Sequence, residues 1–337
     1  MRGALLTTAA LLVLAAGAAH ANDSSAELAT GGLVLTKNAD VAMRSEDLFI
    51  SAKEIRVSYR FYNGSEAPVT TLVAFPMPDI TVAGPDEVIA LPTENPDNLL
   101  DFETRVDGQP VTTTLEQKVL KDGVDRTDVL LRLQVPLAPH LASTGTALDR
   151  LPRSAWDELL GLRLAEIEEY DAGKGMEKHL SPRWTLKTTY SWQQTFPAGA
   201  EVAIEHRYKP SVGASVQTSI GDRDAMQEDW YAGYRAKYCM DADFLAAAEA
   251  AQNEAPGSFA APFAEERISY VLTTGANWKG PIGTFRLFVD KGDPASLVSF
   301  CGEDVKEIGA TELAMEKTDF VPKYDLHVLI LKRLQAD

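Results

Sequence analysis

The sequence has few cysteines, a deficit of basic residues and, beyond its first 21 residues, no long hydrophobic run. Two cysteines occur in 337 residues, so at most one disulfide can form within the chain. Lysine and arginine number 32 against 49 aspartates and glutamates, which gives a formal net charge of -17. A charge of that sign repels phosphate backbones and argues against nucleic acid as a partner. Without a second apolar segment of about 20 residues, no transmembrane segment is expected after the leader.

Recognisable catalytic and metal-binding motifs are also missing. Four histidines follow the leader, and none belongs to H-E-x-x-H or an i, i+4 pair: His140, His179, His206 and His327. Those at 206 and 327 fall in predicted strands, where we expect packed rings with satisfied nitrogens. The acidic pairs 222/224 and 241/243 are better explained as helix caps than as calcium ligands, although calcium held by distant loops stays open. No catalytic residue, metal ligand or cofactor is predicted.

The first 21 residues have the composition of a cleavable secretory signal. Arg2 is followed by an uncharged run at 4–16 rich in leucine and alanine, and then by Ala19-His20-Ala21. Small residues at 19 and 21 suit a signal peptidase, so residues 1–21 are predicted to be removed between Ala21 and Asn22. A membrane anchor is the competing interpretation, but the run is too short to span a bilayer. The predicted mature protein is therefore exported from the cytoplasm.

The next part of the chain reads as β-structure. Ile55, Val57, Tyr59 and Phe61 alternate with polar residues, as in a strand with one buried face. Further strands are predicted at 69–75, 102–106 and 129–135, with turns rich in Gly, Pro and Asp between them. Short strands at this spacing predict an N-terminal β-sandwich over 22–145.

The rest of the chain mixes helices with strands. A helix is predicted to include Trp156 to Ile167 and to end at Gly173, within a helical connection over 146–183. Strands at 184–196 and 202–208 are predicted to form a hairpin. They open a C-terminal β-sandwich over 184–337, which carries a helical insert at about 222–255, with Asp241 as a helix cap. The predicted fold class is mainly β with helical insertions, arranged as two β-sandwich-like domains.

The C-terminal part contains two groups of candidate site residues, a cysteine pair and a set of three aromatic residues. In an oxidising compartment Cys239 and Cys301 are expected to form a disulfide worth roughly 4 kcal/mol, since a reactive thiol would need a nearby base that the sequence does not display. Trp230, Tyr234 and Tyr238 share one face of a predicted helix. Exposed, they could stack on a sugar or peptide; packed, they would dock the insert on the sheet, which helical spacing favours. They are retained as candidate ligand-binding residues.

Several segments resemble an uncharacterised family of exported bacterial proteins, domain-of-unknown-function family 4424. The likeness is carried by MRSEDL (43–48), the strand at 55–63, FPMP (75–78), FPAG (196–199), HRYKP (206–210), TGANWKGPIG (274–283), FRLFVDKG (285–292) and SFCG (299–302). It implies periplasmic residence and no established activity, so it assigns no functional residues. The segments around 61–63, 75–78 and 106–110 are also similar to the β-sandwich module of vault and inter-alpha-trypsin-inhibitor proteins.

Together these observations predict a non-catalytic binding or structural module of the cell envelope, whose partner is an envelope protein or a glycan. The alternative is an envelope hydrolase whose two carboxylates are brought together only by folding, which leaves no sequence motif. A calcium-stabilised scaffold is a third hypothesis.

Overall fold

The computed structural model of the 337-residue chain describes residues 22–29, 32–82, 88–171, 173, 175–254 and 262–334. The strands are β1 (Ser24–Ala29), β2 (Gly32–Thr36), β3 (Val41–Ser51), β4 (Ile55–Asn63), β5 (Val69–Pro76), β6 (Ile80–Thr81), β7 (Val88–Ala90), β8 (Glu103–Val106), β9 (Gln109–Pro110), β10 (Thr114–Lys121), β11 (Val124–Asp125), β12 (Ala165–Asp171), β13 (Met176–Pro182), β14 (Thr185–Phe196), β15 (Glu201–Tyr208), β16 (Val212–Ser215), β17 (Phe263–Tyr270), β18 (Ile282–Asp290), β19 (Leu297–Phe300), β20 (Lys306–Glu307), β21 (Glu312–Phe320) and β22 (Leu326–Arg333). The helices are α1 (Thr127–Arg132), α2 (Ala142–Asp149), α3 (Arg153–Gly161), α4 (Asp229–Tyr238) and α5 (Ala242–Glu254), with 3-10 turns at Ala225–Gln227 and Thr273–Asn277.

Strands dominate this set, which confirms the predicted mainly-β fold with helical insertions. None of the helices in the ranges given above is long and apolar enough to cross a membrane.

The strands form three large sheets and one separate hairpin. An eight-stranded sheet has the order β20-β21-β18-β3-β4-β15-β8-β9, and its β18–β3 pair is parallel. A seven-stranded sheet runs β11-β10-β14-β5-β1-β2, with β6 also paired to β14. A five-stranded sheet runs β19-β22-β17-β16-β7, and β12 pairs with β13 alone.

Strand β4 shows why the eight-stranded sheet has one buried face. Its alternating apolar residues are buried while the polar residues between them are exposed, as the period of two predicts: Ile55, Val57, Tyr59 and Phe61 are each at most 1% exposed. Burying each such side chain stabilises the fold by about 1.5–3 kcal/mol.

The buried face of this sheet packs against both other large sheets. Phe61 contacts Phe196 of β14, with ring centroids 5.7 Å apart, and the hydroxyl of Tyr59 lies 2.9 Å from that of Tyr270 at the end of β17. One hydrophobic core therefore contains side chains from all three sheets. The sandwich has the eight-stranded sheet as one layer and the seven- and five-stranded sheets as the other.

The hairpin predicted between β14 and β15 is wrong. Strand β14 pairs with β5 and β10, whereas β15 pairs with β4 and β8 in the opposite layer. The turn at 197–200 carries the chain from one layer to the other, and Gly199 adopts a φ of 61° there. Because both strands have a buried face, they meet through side chains across the core, as in the 5.4 Å contact between the rings of Trp192 and His206.

The strand predicted at 129–135 is also wrong, because residues Thr127–Arg132 form helix α1. Asp125 accepts hydrogen bonds from the amide and hydroxyl of Thr127, which turns the chain directly after the β10–β11 hairpin. Leu130 is buried whereas Leu131 is 57% exposed. A short apolar run of this kind is compatible with either period, and the preceding turn decides between them.

The helix predicted to reach Ile167 ends six residues earlier, at Gly161. Arg163 adopts a left-handed φ of 58°, and the amide of Leu164 donates to the carbonyl of Leu159, which is the bonding of a Schellman motif. The chain then continues as β12, which pairs with β13. The prediction is therefore wrong for Ile167, and Gly173 lies between two paired strands instead of ending a helix.

Helices α4 and α5 lie within the predicted insert and cover the five-stranded sheet. Tyr238, Phe244 and Ala248 pack with Leu329 and Leu331 of β22 in a separate buried cluster. Asp241 Oδ1 accepts a hydrogen bond of 2.8 Å from the amide of Phe244, which confirms its predicted role as a cap.

Each of the three large sheets combines strands from both predicted sandwich ranges, 22–145 and 184–337. The boundary near residue 145 does not coincide with a break between sheets, because backbone pairing joins strands that are distant in sequence. The division into two β-sandwich-like domains stays a prediction. The likeness of the first range to the vault module also stays a prediction.

Candidate functional site

The predicted disulfide between Cys239 and Cys301 is confirmed. Their Cα atoms are 5.0 Å apart, and the bond joins residues 62 positions apart in sequence. Cys239 ends α4 in the left-handed conformation, and Cys301 directly follows β19. The bond therefore attaches the helical insert to the edge of the five-stranded sheet.

The three candidate aromatic residues of α4 have different surroundings. Tyr238 is 2% exposed, and the hydroxyl of Tyr234 donates a hydrogen bond of 2.6 Å to Glu265 of β17. Trp230 is 48% exposed and contacts Tyr234 edge to face. Two of the three residues thus dock the helix on the sheet, and Trp230 alone presents half of its surface to solvent. Ligand binding by this set stays a prediction.

An apolar pocket of about 600 Å³ opens beside the disulfide. Both cysteines line it, and its floor consists of buried side chains from both layers of the sandwich: Leu272, Phe285, Leu287, Met315 and Leu326. The volume falls in the usual range of small-ligand sites. Val321 and Tyr324, which are 53% and 81% exposed, form part of its wall and extend the apolar surface outwards.

Charged residues lie on the rim of this pocket, and Lys317 pairs with two carboxylates there. Lys317 Nζ lies 3.1 Å from Glu303 Oε2 and 2.9 Å from Asp304 Oδ2. These two hydrogen-bonded carboxylates raise the pKa of Lys317. Asp325 Oδ1 accepts hydrogen bonds from the amides of Leu272 and Thr273, which holds the backbone at the floor residue Leu272. Its lining contains neither histidine nor serine, so the geometry suits burial of a hydrophobic group and offers no nucleophile with a base.

A second unusual site lies inside the sandwich, at the residues that follow the predicted cleavage position. Ala21 lies outside the described residues, whereas Asn22 and Asp23 are both 0% exposed. Asn22 donates to Glu46 and Asp23 contacts His206, while Tyr270 links Glu46 to Tyr59 through its hydroxyl. We call the whole group the N-terminal polar cluster: Asn22, Asp23, Glu46, Tyr59, His206 and Tyr270. It brings β3, β4, β15 and β17 together at one buried point.

Within this cluster His206 bridges two elements. Its Nε2 lies 2.9 Å from Asp23 Oδ1, and its Nδ1 lies 3.0 Å from the hydroxyl of Thr104. The prediction of a packed histidine with satisfied nitrogens is confirmed at this position. Burial raises the pKa of Asp23, and His206 opposes that shift through its charge and hydrogen bond.

Glu46 occupies the other side of the cluster. Its Oε2 accepts a hydrogen bond of 3.0 Å from Asn22 Nδ2, and its Oε1 lies 3.3 Å from the donating hydroxyl of Tyr270. Burial raises the pKa of Glu46 to about 8, although both hydrogen bonds lower it. The nearby charges of Asp23 and Asp47 raise it further. A carboxyl with this pKa is largely protonated at neutral pH in the uncut chain.

The backbone around Asn22 is held on several sides. Thr274 Oγ1 donates to the Asn22 carbonyl at 2.7 Å, and Trp278 Nε1 donates to the Asp23 carbonyl at the same distance. Gly275 is required beside them, because a Cβ there would lie 2.8 Å from Asn22 Nδ2. Two buried acceptors are left without a donor, Asn22 Oδ1 and Asp23 Oδ2. Such orphaned atoms are rare in folded proteins.

The fold has thus brought together the buried carboxylates of Asp23 and Glu46, which bears on the hydrolase hypothesis. Both residues are 0% exposed, so a substrate cannot reach them in this conformation. Over the part of the chain that the structure describes, no group of three His, Cys, Asp or Glu residues has the arrangement of a metal site. The cluster therefore has the character of an internal structural element.

Sequence reasoning identified His206 as packed but missed its partners. Asp23 is 183 residues away, in a small, polar stretch directly after the predicted signal, and Glu46 lies in a segment noted only for family resemblance. The sequence shows small polar residues directly after the predicted cleavage position, and it shows the TGANW segment far away at 274–278. Nothing in the sequence indicates that Thr274, Gly275 and Trp278 of this segment contact Asn22 and Asp23.

Comparisons with known proteins identify the family of the chain. A family model described as "Domain of unknown function (DUF4424)" matches residues 21–329, so the chain belongs to that family. Among curated proteins none matches the chain. A crystal structure with a similar chain is that of a "putative nutrient binding protein" from Legionella pneumophila subsp. pneumophila str. Philadelphia 1. The two are 17% identical, the match covers 93% of this chain and 70% of that one, and the TM-score is 0.46. Similarity at this level carries no argument for function.

Proposed function

We propose that the mature protein is an exported binding module of the cell envelope, and that its apolar pocket beside the disulfide holds a hydrophobic side chain of an envelope protein. The pocket is the observation that carries this proposal. Its floor residues are at most 8% exposed, yet they line an opening of about 600 Å³ between the two layers. A hydrophobic group placed there gains roughly 25 cal/mol for each Å² of apolar surface removed from water.

The chemistry of the pocket favours a protein side chain over a glycan. Sugar hydroxyls that leave water need hydrogen-bond partners, and the floor offers only apolar surface. The exposed apolar surface of Val321 and Tyr324 continues beyond the opening. A peptide segment with one inserted residue would cover both the pocket and this extension, which a small ligand would leave exposed.

Export is the second part of the proposal. It rests on the signal-like order of residues 2–21, in which a basic residue is followed by an apolar run and then by small residues. The disulfide is compatible with an oxidising compartment. Fractionation of cells that express the full chain, followed by mass determination, tests it. We expect periplasmic protein that begins at Asn22; protein retained in the cytoplasm with residues 1–21 would contradict export.

Binding of the fluorescent probe N-phenyl-1-naphthylamine tests the pocket. Val321→Asp is expected to weaken probe binding at least about tenfold, because a charge at the opening resists dehydration. Val124→Asp is the matched control, since Val124 is also a half-exposed valine (46%) but does not line the pocket. Equal loss in both variants, or no loss in either, would contradict the assignment.

A photo-crosslinking amino acid at position 321 then tests the nature of the occupant in cells. A protein partner is supported by a crosslinked protein band that forms with the crosslinker at position 321 but not at position 124. The band should also be lost when Leu287 is replaced by Trp, which fills the pocket. Crosslinks to lipid alone would replace the proposed partner by a lipid chain.

A further inference from the structure

The N-terminal polar cluster contains more buried acid than base. Asp23 and Glu46 are both 0% exposed, and His206 is the single basic side chain that hydrogen-bonds within the cluster as described. His206 contacts Asp23, whereas the hydrogen bonds to Glu46 come from the neutral groups of Asn22 and Tyr270. An ionised Glu46 therefore lacks a cationic hydrogen-bond partner in the uncut chain.

Two acceptor atoms of the same cluster also lack hydrogen-bond donors. Asn22 Oδ1 and Asp23 Oδ2 are buried without a partner, and both belong to the two residues that follow the predicted cleavage position. In the uncut chain the main-chain nitrogen of Asn22 carries one N–H. After cleavage between residues 21 and 22 it becomes an ammonium group with three N–H donors and a positive charge.

We propose that removal of residues 1–21 creates a buried α-ammonium group at Asn22 that pairs with Glu46 and makes the processed N-terminus part of the fold. The proposal rests on the export and cleavage proposed above, but not on the ligand of the pocket. Hydrolysis of the peptide bond by water gives a carboxylate on residue 21 and the ammonium on Asn22, so no further reactant is needed.

Placement of Asn22 supports this role. Its side chain is already bonded to Glu46, its carbonyl is held by Thr274, and Gly275 leaves room for it. A buried ammonium without a counter-ion is strongly destabilising, so the interior position of this residue requires a carboxylate close by. The ammonium also supplies donors for the two acceptors that now have none.

Burial of Asn22 and Asp23 also determines whether cleavage or folding comes first. A protease needs an accessible, extended segment, and both residues are enclosed once the sandwich has formed. Cleavage must therefore precede completion of the fold. In the uncut chain the cluster would still contain two buried carboxyl groups and one basic side chain. The fold therefore reaches its full stability only after residues 1–21 have been removed.

The experiment compares mature protein that begins at Asn22 with the same protein extended by Gly-Ser-Gly before Asn22, each with and without Glu46→Gln. We expect the free N-terminus to raise the melting temperature of the wild-type sequence by on the order of 5–10 °C relative to the extended form. In the Glu46→Gln background that advantage should largely disappear, because the ammonium has lost its counter-ion.

Two results would overturn the proposal while leaving export intact. The two forms could melt at the same temperature, or the difference could be unchanged by Glu46→Gln, which would make it a steric effect of the extension. If N-terminal sequencing of exported protein gives a start other than Asn22, both this proposal and the predicted cleavage position are wrong.

A second measurement does not depend on the variant folding. An α-amine-selective aldehyde should modify the mature protein at least about tenfold more slowly in the native state than in urea, while the amine of the extended form reacts quickly in both. Rapid native-state modification at Asn22 would overturn the buried ammonium.

Discussion

Asp23 and His206 form a fully buried contact, with 2.9 Å between Oδ1 and Nε2, although 183 residues separate them in sequence. Both side chains have no solvent exposure. The contact joins the residues next to the predicted cleavage position to β15, near the middle of the core. Rings of Tyr59, Phe75, Phe102 and Trp192 surround the imidazole.

His206→Ala is expected to lower the free energy of unfolding by about 3–5 kcal/mol, because it leaves the Asp23 carboxyl buried without its partner. Urea denaturation measures this. The control is Arg163→Ala, which breaks an ion pair with Asp122 whose side chains are 74% and 59% exposed; its effect should stay below about 1 kcal/mol. A smaller effect for His206→Ala than for Arg163→Ala would show that the buried contact does not stabilise the fold.

Glu46 gives the uncut or extended protein a distinct pH dependence. Its pKa is raised from 4.5 to about 8 by burial, so the folded state binds a proton that the unfolded state has released. The resulting stabilisation is complete below about pH 4.5 and is lost as pH rises through about 8, with a slope of at most about 1.4 kcal/mol per pH unit.

Thermal unfolding between pH 5 and 8 measures that slope. Glu46→Gln in the extended protein should flatten it, since a glutamine amide keeps hydrogen-bonding capacity without titrating. Mature protein with a free Asn22 should also show a weaker slope, because a nearby ammonium favours ionised Glu46. An unchanged slope in the glutamine variant would assign the pH dependence to other groups.

Reduction of the Cys239–Cys301 disulfide is expected to destabilise the protein by roughly 4 kcal/mol, because the bond closes a loop of 62 residues in the unfolded chain. Melting with and without reductant measures it, and a Cys239→Ser, Cys301→Ser double variant is the control that should be insensitive to reductant. Because both cysteines line the apolar pocket, the probe should also bind the reduced protein more weakly. A melting temperature independent of reductant in the parent protein would refute the stabilisation.

Truncation of the aromatic residues of α4 should reduce stability in proportion to their burial. Tyr238→Ala is expected to cost about 3–5 kcal/mol as a core truncation, whereas Trp230→Ala should change stability by less than about 1 kcal/mol. Thermal unfolding distinguishes the two. If Trp230→Ala proves as destabilising as Tyr238→Ala, its half-exposed ring contributes to packing more than its exposure indicates.

Local patterns predicted much of the secondary structure but not its partners. The alternation at 55–61 and the cap at Asp241 are read correctly because each depends on residues within a few positions. The strand predicted at 129–135 failed because a short apolar run fits two periods, and the β14–β15 hairpin failed because strands adjacent in sequence can face each other across a core.

By itself the sequence determined the mainly-β character, the acidic charge and the identity of the two bonded cysteines, since two cysteines allow one pairing. Tertiary structure alone decided which strands pair, where the apolar pocket opens and which buried groups meet Asn22. The reason is physical: alternation and capping are short-range effects of the backbone. Contacts such as Asp23–His206 and Asn22–Glu46 instead depend on how three sheets close around one core.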